Sequence, residues 1–182
     1  ELLLSDIGAV IKDLGVDNVT LVGHDWGGAL AWQFAIQNPD KVNKLIICNL
    51  THPRGYQTVR ENATEEQKAN TAYIERFQDP NAAKMFNPQM LANISAGPEP
   101  EEVKARFVTA FENSYVDGML NYYRALWPLL QSGGLAEEVP NLQMPVLQFH
   151  GLLDTAVDKD GLRDTWNWID ADYTLVTVPK SN

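Results

Sequence analysis

The chain has 182 residues, of which 45% are hydrophobic and 21% charged, a composition typical of a globular protein with a sizeable core. Its 24 acidic and 14 basic residues give a formal net charge of −10, which argues against the basic surface that nucleic-acid binding requires. No apolar stretch approaches the roughly 20 residues of a membrane helix, and the single cysteine, Cys48, excludes an internal disulfide. We therefore expect a cytoplasmic protein without a nucleic-acid or membrane partner.

The N-terminal part of the chain has the pattern of an α/β core. Apolar side chains recur at helical spacing over residues 1–14, and two short β-branched runs, residues 19–23 and 44–49, predict buried strands. Residues 27–37 lie between these runs and predict a helix. A strand, a helix and a second strand with short connections predict a parallel, right-handed unit.

Helical patterns alone follow, including one over residues 64–78, before strands return at residues 146–150 and 173–178 on either side of a helix at 161–169. An α/β core interrupted by helices predicts a partial parallel sheet with an inserted all-helical lid. We therefore divide the chain into an α/β core (residues 1–50), a helical lid (residues 51–139) and a continuation of the core (residues 140–182).

The most informative motif is Gly23-His24-Asp25-Trp26-Gly27-Gly28, where the first strand must turn into a helix. A central residue flanked by glycines in this context is typical of a nucleophile elbow, a strained turn that raises the nucleophile above the sheet. Here the central residue is Asp25. The alternative is that Asp25 is only the N-cap of the helix, but an N-cap needs neither flanking glycine.

An aspartate at this position can attack an electrophilic carbon and form a covalent ester. It needs no base to ionise it at neutral pH, and it suits the carbon of an epoxide or alkyl halide better than a carbonyl carbon. The backbone N–H of Trp26 lies at the positive end of the helix and is a candidate oxyanion donor for the hydrolysis of that ester.

Hydrolysis of the ester needs a base and an acid that orients the base. Asp154 follows the third strand, at the sheet edge where parallel sheets collect functional side chains, and is the expected acid. Three other aspartates compete with it but fall in the following loop and helix: Asp158, Asp160 and Asp164. The second strand ends at Asn49, which is not a carboxylate and so offers no rival acid.

None of the three histidines, His24, His52 and His150, is well placed to serve as the base. In the chain order nucleophile, acid, histidine, the base would follow the last strand. We therefore expect the base beyond Asn182, so that the chain is part of a longer hydrolase and is inactive alone.

These motifs resemble those of the α/β-hydrolase-fold epoxide hydrolases, with haloalkane dehalogenases as close relatives, and the resemblance covers essentially the whole chain. Epoxide hydrolases of this type carry two lid tyrosines, one ahead of a Phe-Gln-x-Pro stretch and one in an Asn-aromatic-Tyr-Arg stretch. Tyr73, ahead of Phe77-Gln78-Asp79-Pro80, and Tyr123, in Asn121-Tyr122-Tyr123-Arg124, match these positions. Without the family pattern both tyrosines would be more simply interpreted as core residues.

The resemblance implies that the protein opens small apolar epoxides to vicinal diols without a metal or an organic cofactor. It implies that Asp25 is the nucleophile, that Asp154 is the acid, and that Tyr73 and Tyr123 bind the epoxide oxygen. The family's upstream His-Gly-x-Pro stretch, which supplies the other oxyanion donor, is absent from the chain. Two alternatives stay open: a haloalkane dehalogenase, in which the Trp26 indole would bind halide, and a non-catalytic binding protein of the same fold.

Overall fold

The computed structural model describes residues 1–132 and 139–181. The chain divides into two compact units, Glu1–Asn70 with Gly133–Asn182 and, separately, Thr71–Ser132. The helices and strands in chain order are α1 (Leu2–Asp13), β1 (Val19–His24), α2 (Trp26–Gln37), β2 (Val42–Cys48), α3 (Pro53–Glu61), α4 (Glu65–Thr71), α5 (Tyr73–Phe77), α6 (Pro88–Ala96), α7 (Glu101–Glu112), α8 (Val116–Ser132), β3 (Val146–Gly151) and β4 (Tyr173–Val178).

The four strands form one parallel sheet in the order β1-β2-β3-β4, which confirms the predicted α/β fold with a parallel sheet. The register pairs His24 with Cys48 and Cys48 with Phe149. Strands β1, β2 and β3 therefore end side by side, and the residues that directly follow them lie at one edge of the sheet.

The core of the first unit lies between the sheet and helices α1 and α2. Helix α2 packs against β1 and β2, and α1 packs against α2. The sequence of α2 is apolar on nearly every face, which suits a helix covered on both sides; Trp32 and Phe34 are fully buried. Burial of each such side chain contributes about 1.5–3 kcal/mol to the stability of the folded protein. Helix α2 is therefore held in place against the sheet directly after the turn at Asp25.

Two predicted helices are wrong in detail. The helix predicted over residues 161–169 is replaced by two 3-10 turns, Lys159–Leu162 and Thr165–Trp168. Asp164, between them, has a left-handed backbone with φ of 61°, which an α-helix does not accommodate. The helix predicted over residues 64–78 is divided into α4 and α5, and the boundary between the two units falls near this break, between Asn70 and Thr71.

The second unit contains only helices and 3-10 turns among its described residues. Helix α6 packs on α7, and α5 packs on α8. In the part of the chain that the structure describes, no helix is long and apolar enough to span a membrane. The assignment of residues 51–139 as a lid stays a prediction.

Candidate active site

Asp25 lies in a strained turn between β1 and α2. Its backbone has φ of 52° and ψ of −127°, a conformation that non-glycine residues rarely adopt. Its backbone N–H donates to the carbonyl of Cys48 at 3.3 Å, which ties the turn to the end of β2. The side chain is exposed. Backbone strain, anchoring and exposure together are the features of a nucleophile elbow.

The carboxylate of Asp25 does not cap α2 in the usual way. Oδ2 accepts a hydrogen bond of 2.7 Å from the backbone N–H of Trp26, the first residue of the helix. An ordinary N-cap has an extended backbone and accepts from the second or third residue of the helix. The geometry therefore favours the elbow over the simple cap, and it directs the Trp26 N–H at the carboxylate.

The glycines of the motif have different roles. A Cβ at Gly23 would lie 2.5 Å from the Gly27 carbonyl oxygen and 2.7 Å from Cβ of Ala31, so only glycine fits there. A Cβ at Gly28 would lie 3.2 Å from Cβ of Leu50, whereas a Cβ at Gly27 would meet no atom within 4 Å. Close packing therefore requires glycine at position 23 but not at position 27, where the Cα faces open space.

Asp154 follows β3 in a tight turn that its own side chain stabilises. Oδ1 accepts hydrogen bonds from the backbone N–H groups of Ala156 and Val157, at 2.8 and 2.9 Å. The backbone N–H of Asp154 donates to the carbonyl of Gly151 at 3.2 Å. These contacts hold the carboxylate at the carboxyl end of the sheet, the same edge at which Asp25 follows β1.

The three competing aspartates have structural roles of their own. Asp158 caps the 3-10 turn that follows it, since its Oδ1 accepts from the backbone N–H of Asp160 at 2.7 Å. Asp160 forms an exposed ion pair with Arg163 at 3.3 Å. Asp164 occupies the left-handed position between the two turns. Asp154 therefore stays the candidate acid.

Asn49 is a site residue that sequence reasoning missed. It follows β2 with a left-handed backbone, φ of 48°, and its Nδ2 donates to Oδ2 of Asp154 at 2.9 Å. Its Oδ1 accepts from the backbone N–H of Gly151 at 3.0 Å. The signal available in the sequence is the position of Asn49 at the end of β2, the strand adjacent to β3. Because an amide cannot act as an acid, this position alone does not indicate a role beside Asp154.

The two buried histidines lie in environments that disfavour a charged ring. His52 is fully buried, stacks on Trp168 with ring centroids 4.8 Å apart, and accepts through Nδ1 from the backbone N–H of Arg54. Burial, together with the charge of Arg54, lowers the pKa of His52 to about 3. His52 is therefore a poor general base at neutral pH.

Burial also lowers the pKa of His150, while the charges of Asp154 and Asp158 act in the opposite direction. The imidazole nitrogens of His150 form no hydrogen bond of normal geometry with the described residues. His24, at the end of β1, is exposed.

Tyr73 in α5 and Tyr123 in α8 come together in the second unit. Their ring centroids lie 6.0 Å apart at an interplanar angle of 76°. Phe77 contacts both tyrosines, with centroid distances of 5.3 Å to Tyr73 and 4.9 Å to Tyr123. Both tyrosines are half-buried, so the two rings form one aromatic cluster that keeps partial access to solvent.

The motif residues around these tyrosines join α5 to α8. Arg124 donates through Nε to the carbonyl of Phe77 and through its guanidinium to the carbonyl of Asp79, each at 3.0 Å. Gln78 donates through Nε2 to the carbonyl of Tyr123 at 3.3 Å. The Phe-Gln-x-Pro and Asn-aromatic-Tyr-Arg stretches thus bind each other's backbone, which explains physically why those residue types accompany the two tyrosines.

Within residues 1–132 and 139–181, no group of three or more histidine, cysteine, aspartate or glutamate side chains is arranged to hold a metal ion.

Comparison with known proteins supports the fold. The family model for the alpha/beta hydrolase fold matches residues 3–181. The chain is 25% identical over 197 residues to epoxide hydrolase 3 of Xenopus tropicalis, covering 100% of this chain and 52% of that protein. It is 30% identical over 180 residues to epoxide hydrolase 1 of Caenorhabditis elegans, covering 91% of this chain and 43% of that protein. The chain therefore spans about half the length of these curated relatives.

Solved structures of epoxide hydrolases are similar to the whole chain. The Bacillus megaterium epoxide hydrolase in complex with an inhibitor superposes with a TM-score of 0.84 at 25% identity, over 98% of this chain and 67% of that one. An epoxide hydrolase from metagenomes of hot environments superposes with a TM-score of 0.79 at 29% identity, over 98% of this chain and 66% of that chain. The matched family model extends over nearly all of the chain, and the chain belongs to the alpha/beta hydrolase fold family.

Proposed function

We propose that the protein hydrolyses epoxides to vicinal diols through a covalent ester on Asp25. The observation that carries the proposal is the exposed carboxylate of Asp25 in its strained turn. Its Oδ2 accepts a hydrogen bond from the backbone N–H of Trp26. Similarity to epoxide hydrolases and the paired tyrosines of the second unit support the choice of substrate class.

In the first step, Oδ1 of Asp25 attacks a ring carbon of the epoxide from the side opposite the ring oxygen. A new carbon–oxygen bond forms as the ring carbon–oxygen bond breaks, and its electron pair goes to the epoxide oxygen. Tyr73 and Tyr123 donate hydrogen bonds to that oxygen, and one phenol transfers its proton to the developing alkoxide. The product is a hydroxyalkyl ester of Asp25.

In the second step, water attacks the carbonyl carbon of the ester. The Trp26 N–H, which contacts Oδ2 in the free enzyme, then stabilises the negative oxygen of the tetrahedral intermediate. Asp154 orients the base that takes the proton from water. As the intermediate collapses, the protonated base gives its proton to the leaving alkoxide oxygen, which releases the diol. The carboxylic acid left on Asp25 loses its proton through solvent to the tyrosinate, and this restores both the carboxylate and the phenol.

Product analysis with the full-length protein tests this proposal. An aryl epoxide and a primary chloroalkane are supplied in separate reactions, with diol and released chloride as the two readouts. We expect diol from the epoxide and no chloride. Chloride release without diol would favour a dehalogenase, and the absence of both products would favour a binding protein.

A cytoplasmic location stays a prediction from the sequence.

A further inference from the structure

We infer that Asn49 is a positioning residue that fixes the carboxylate of Asp154 and selects the oxygen with which Asp154 holds the base. The inference rests on the proposed function, because it assigns Asn49 a task in the second step of that reaction. Asn49 contacts the acid and is argued to act only through it.

Three hydrogen bonds fix the position of Asn49. Its backbone N–H donates to the carbonyl of Phe149 at 3.0 Å, its Oδ1 accepts from the N–H of Gly151 at 3.0 Å, and its Nδ2 donates to Oδ2 of Asp154 at 2.9 Å. The side chain thus joins the end of β2 to the turn after β3. Its left-handed backbone, with φ of 48°, is tolerated by asparagine far better than by most residues.

The contacts also determine which way the amide faces. The backbone N–H of Gly151 can only donate, so the atom opposite it must be the amide oxygen. The amide nitrogen therefore faces Asp154, whose ionised carboxylate can only accept. Reversal of the amide would place two donors together at Gly151 and two acceptors together at Asp154.

The acceptor capacity of Asp154 shows what Asn49 selects. An ionised carboxylate has about two acceptor sites on each oxygen. The N–H groups of Ala156 and Val157 both donate to Oδ1, while Asn49 donates to Oδ2. Oδ2 therefore keeps acceptor capacity for the N–H of a base, and the amide of Asn49 fixes the plane in which that oxygen is presented.

Asp154 supports the base, and the base is needed for hydrolysis of the ester but not for its formation. Loss of the Asn49 amide is therefore expected to slow the second step selectively. A residue with only a structural role would lower the amount of folded protein or slow both steps together. Accumulation of the Asp25 ester separates the two cases.

Two variants of the full-length protein remove the contact in different ways. Asn49→Gly removes the side chain and keeps a residue that adopts positive φ without strain. Asn49→Asp keeps an acceptor for Gly151 and a residue that tolerates the left-handed backbone. It replaces the neutral amide beside Oδ2 of Asp154 with a second carboxyl group, which either repels the ionised acid or shares a proton with it. Asn43→Ala is the matched control, because Asn43 lies in β2, the strand that Asn49 follows, and its exposed amide bonds to the exposed side chains of Asn18 and Thr20.

The measurements are single-turnover rates of ester formation and diol release with an aryl epoxide, the mass of the Asp25 peptide, and circular dichroism to confirm folding. We expect both Asn49 variants to release diol about tenfold to a hundredfold more slowly, since a hydrogen bond to a charged group is lost. Ester formation should stay within about threefold of wild type, so that the ester accumulates. Asn43→Ala should match wild type in both steps.

Wild-type diol release in both variants would overturn the role of Asn49, as would an equal slowing of both steps or a loss of folding in both variants. Each of these results leaves the proposed function standing if the wild-type protein itself produces diol through the Asp25 ester. If the wild type forms neither ester nor diol, the proposed function fails, and the role of Asn49 fails with it.

Discussion

The backbone N–H of Trp26 lies 2.7 Å from Oδ2 of Asp25 and donates a hydrogen bond to it. The donor belongs to the first residue of α2, a helix whose buried side chains anchor it against the sheet. Such a donor is fixed before the reaction starts and needs no rearrangement when charge develops on the ester oxygen. The strained turn thus presents the nucleophile and directs a donor at one of its two oxygens.

Gly23→Ala is expected to destabilise the protein by about 1–3 kcal/mol or more, because the added Cβ would lie 2.5 Å from a backbone oxygen that cannot move without α2. Urea denaturation of the full-length protein measures this effect. Gly27→Ala is the matched comparison: its Cβ enters open space inside a helix, so its stability should equal or slightly exceed that of wild type. If Gly23→Ala unfolded at the same urea concentration as wild type, that result would contradict the close packing at the turn.

Tyr73→Phe and Tyr123→Phe should each slow ester formation about tenfold or more, since each removes one hydrogen-bond donor to the developing alkoxide while the ring packing is kept. Rapid-quench measurement of the Asp25 ester in the full-length protein gives this rate. Tyr122→Phe, one position away on α8, should leave the rate unchanged. Equal rates in all three variants would remove both tyrosines from the mechanism.

His52 makes stability depend on pH in the acidic range. Its pKa is about 3 in the folded protein and about 6.5 when unfolded, so between these values the unfolded chain binds a proton that the folded protein does not. Stability should therefore fall as the pH falls from about 6.5 to about 3, by up to about 1.4 kcal/mol per pH unit from this residue.

His52→Asn tests this dependence, because asparagine can still accept from the Arg54 N–H at the start of α3 but does not titrate. Urea denaturation at pH values of about 7 and about 4.5, both chosen around the window that the His52 pKa defines, should show a smaller loss of stability in the variant than in wild type. Burial also lowers the pKa of His150, so in both proteins His150 contributes to the loss of stability at acidic pH. An identical loss in the two proteins would contradict a neutral, buried His52.

Local sequence signals predict the features that local chemistry determines. The β-branched run at β4 predicts the same residues that form the strand, Tyr173–Val178, and the glycines around Asp25 indicate its turn. The left-handed backbone of Asp164 leaves no comparable signal, because the surrounding apolar spacing favours a helix. The contact between Asn49 and Asp154 joins residues 105 positions apart, and only the pairing of β2 with β3 makes them neighbours.

The most direct test of the central claim is a single turnover of an aryl epoxide by excess full-length protein in water labelled with heavy oxygen. If Asp25 forms the ester and water attacks its carbonyl carbon, the first diol carries unlabelled oxygen from Asp25, and the Asp25 peptide gains the heavy oxygen. That distribution is the predicted result. Heavy oxygen in the first diol with none in the Asp25 peptide would show direct attack of water on the epoxide and would contradict the account.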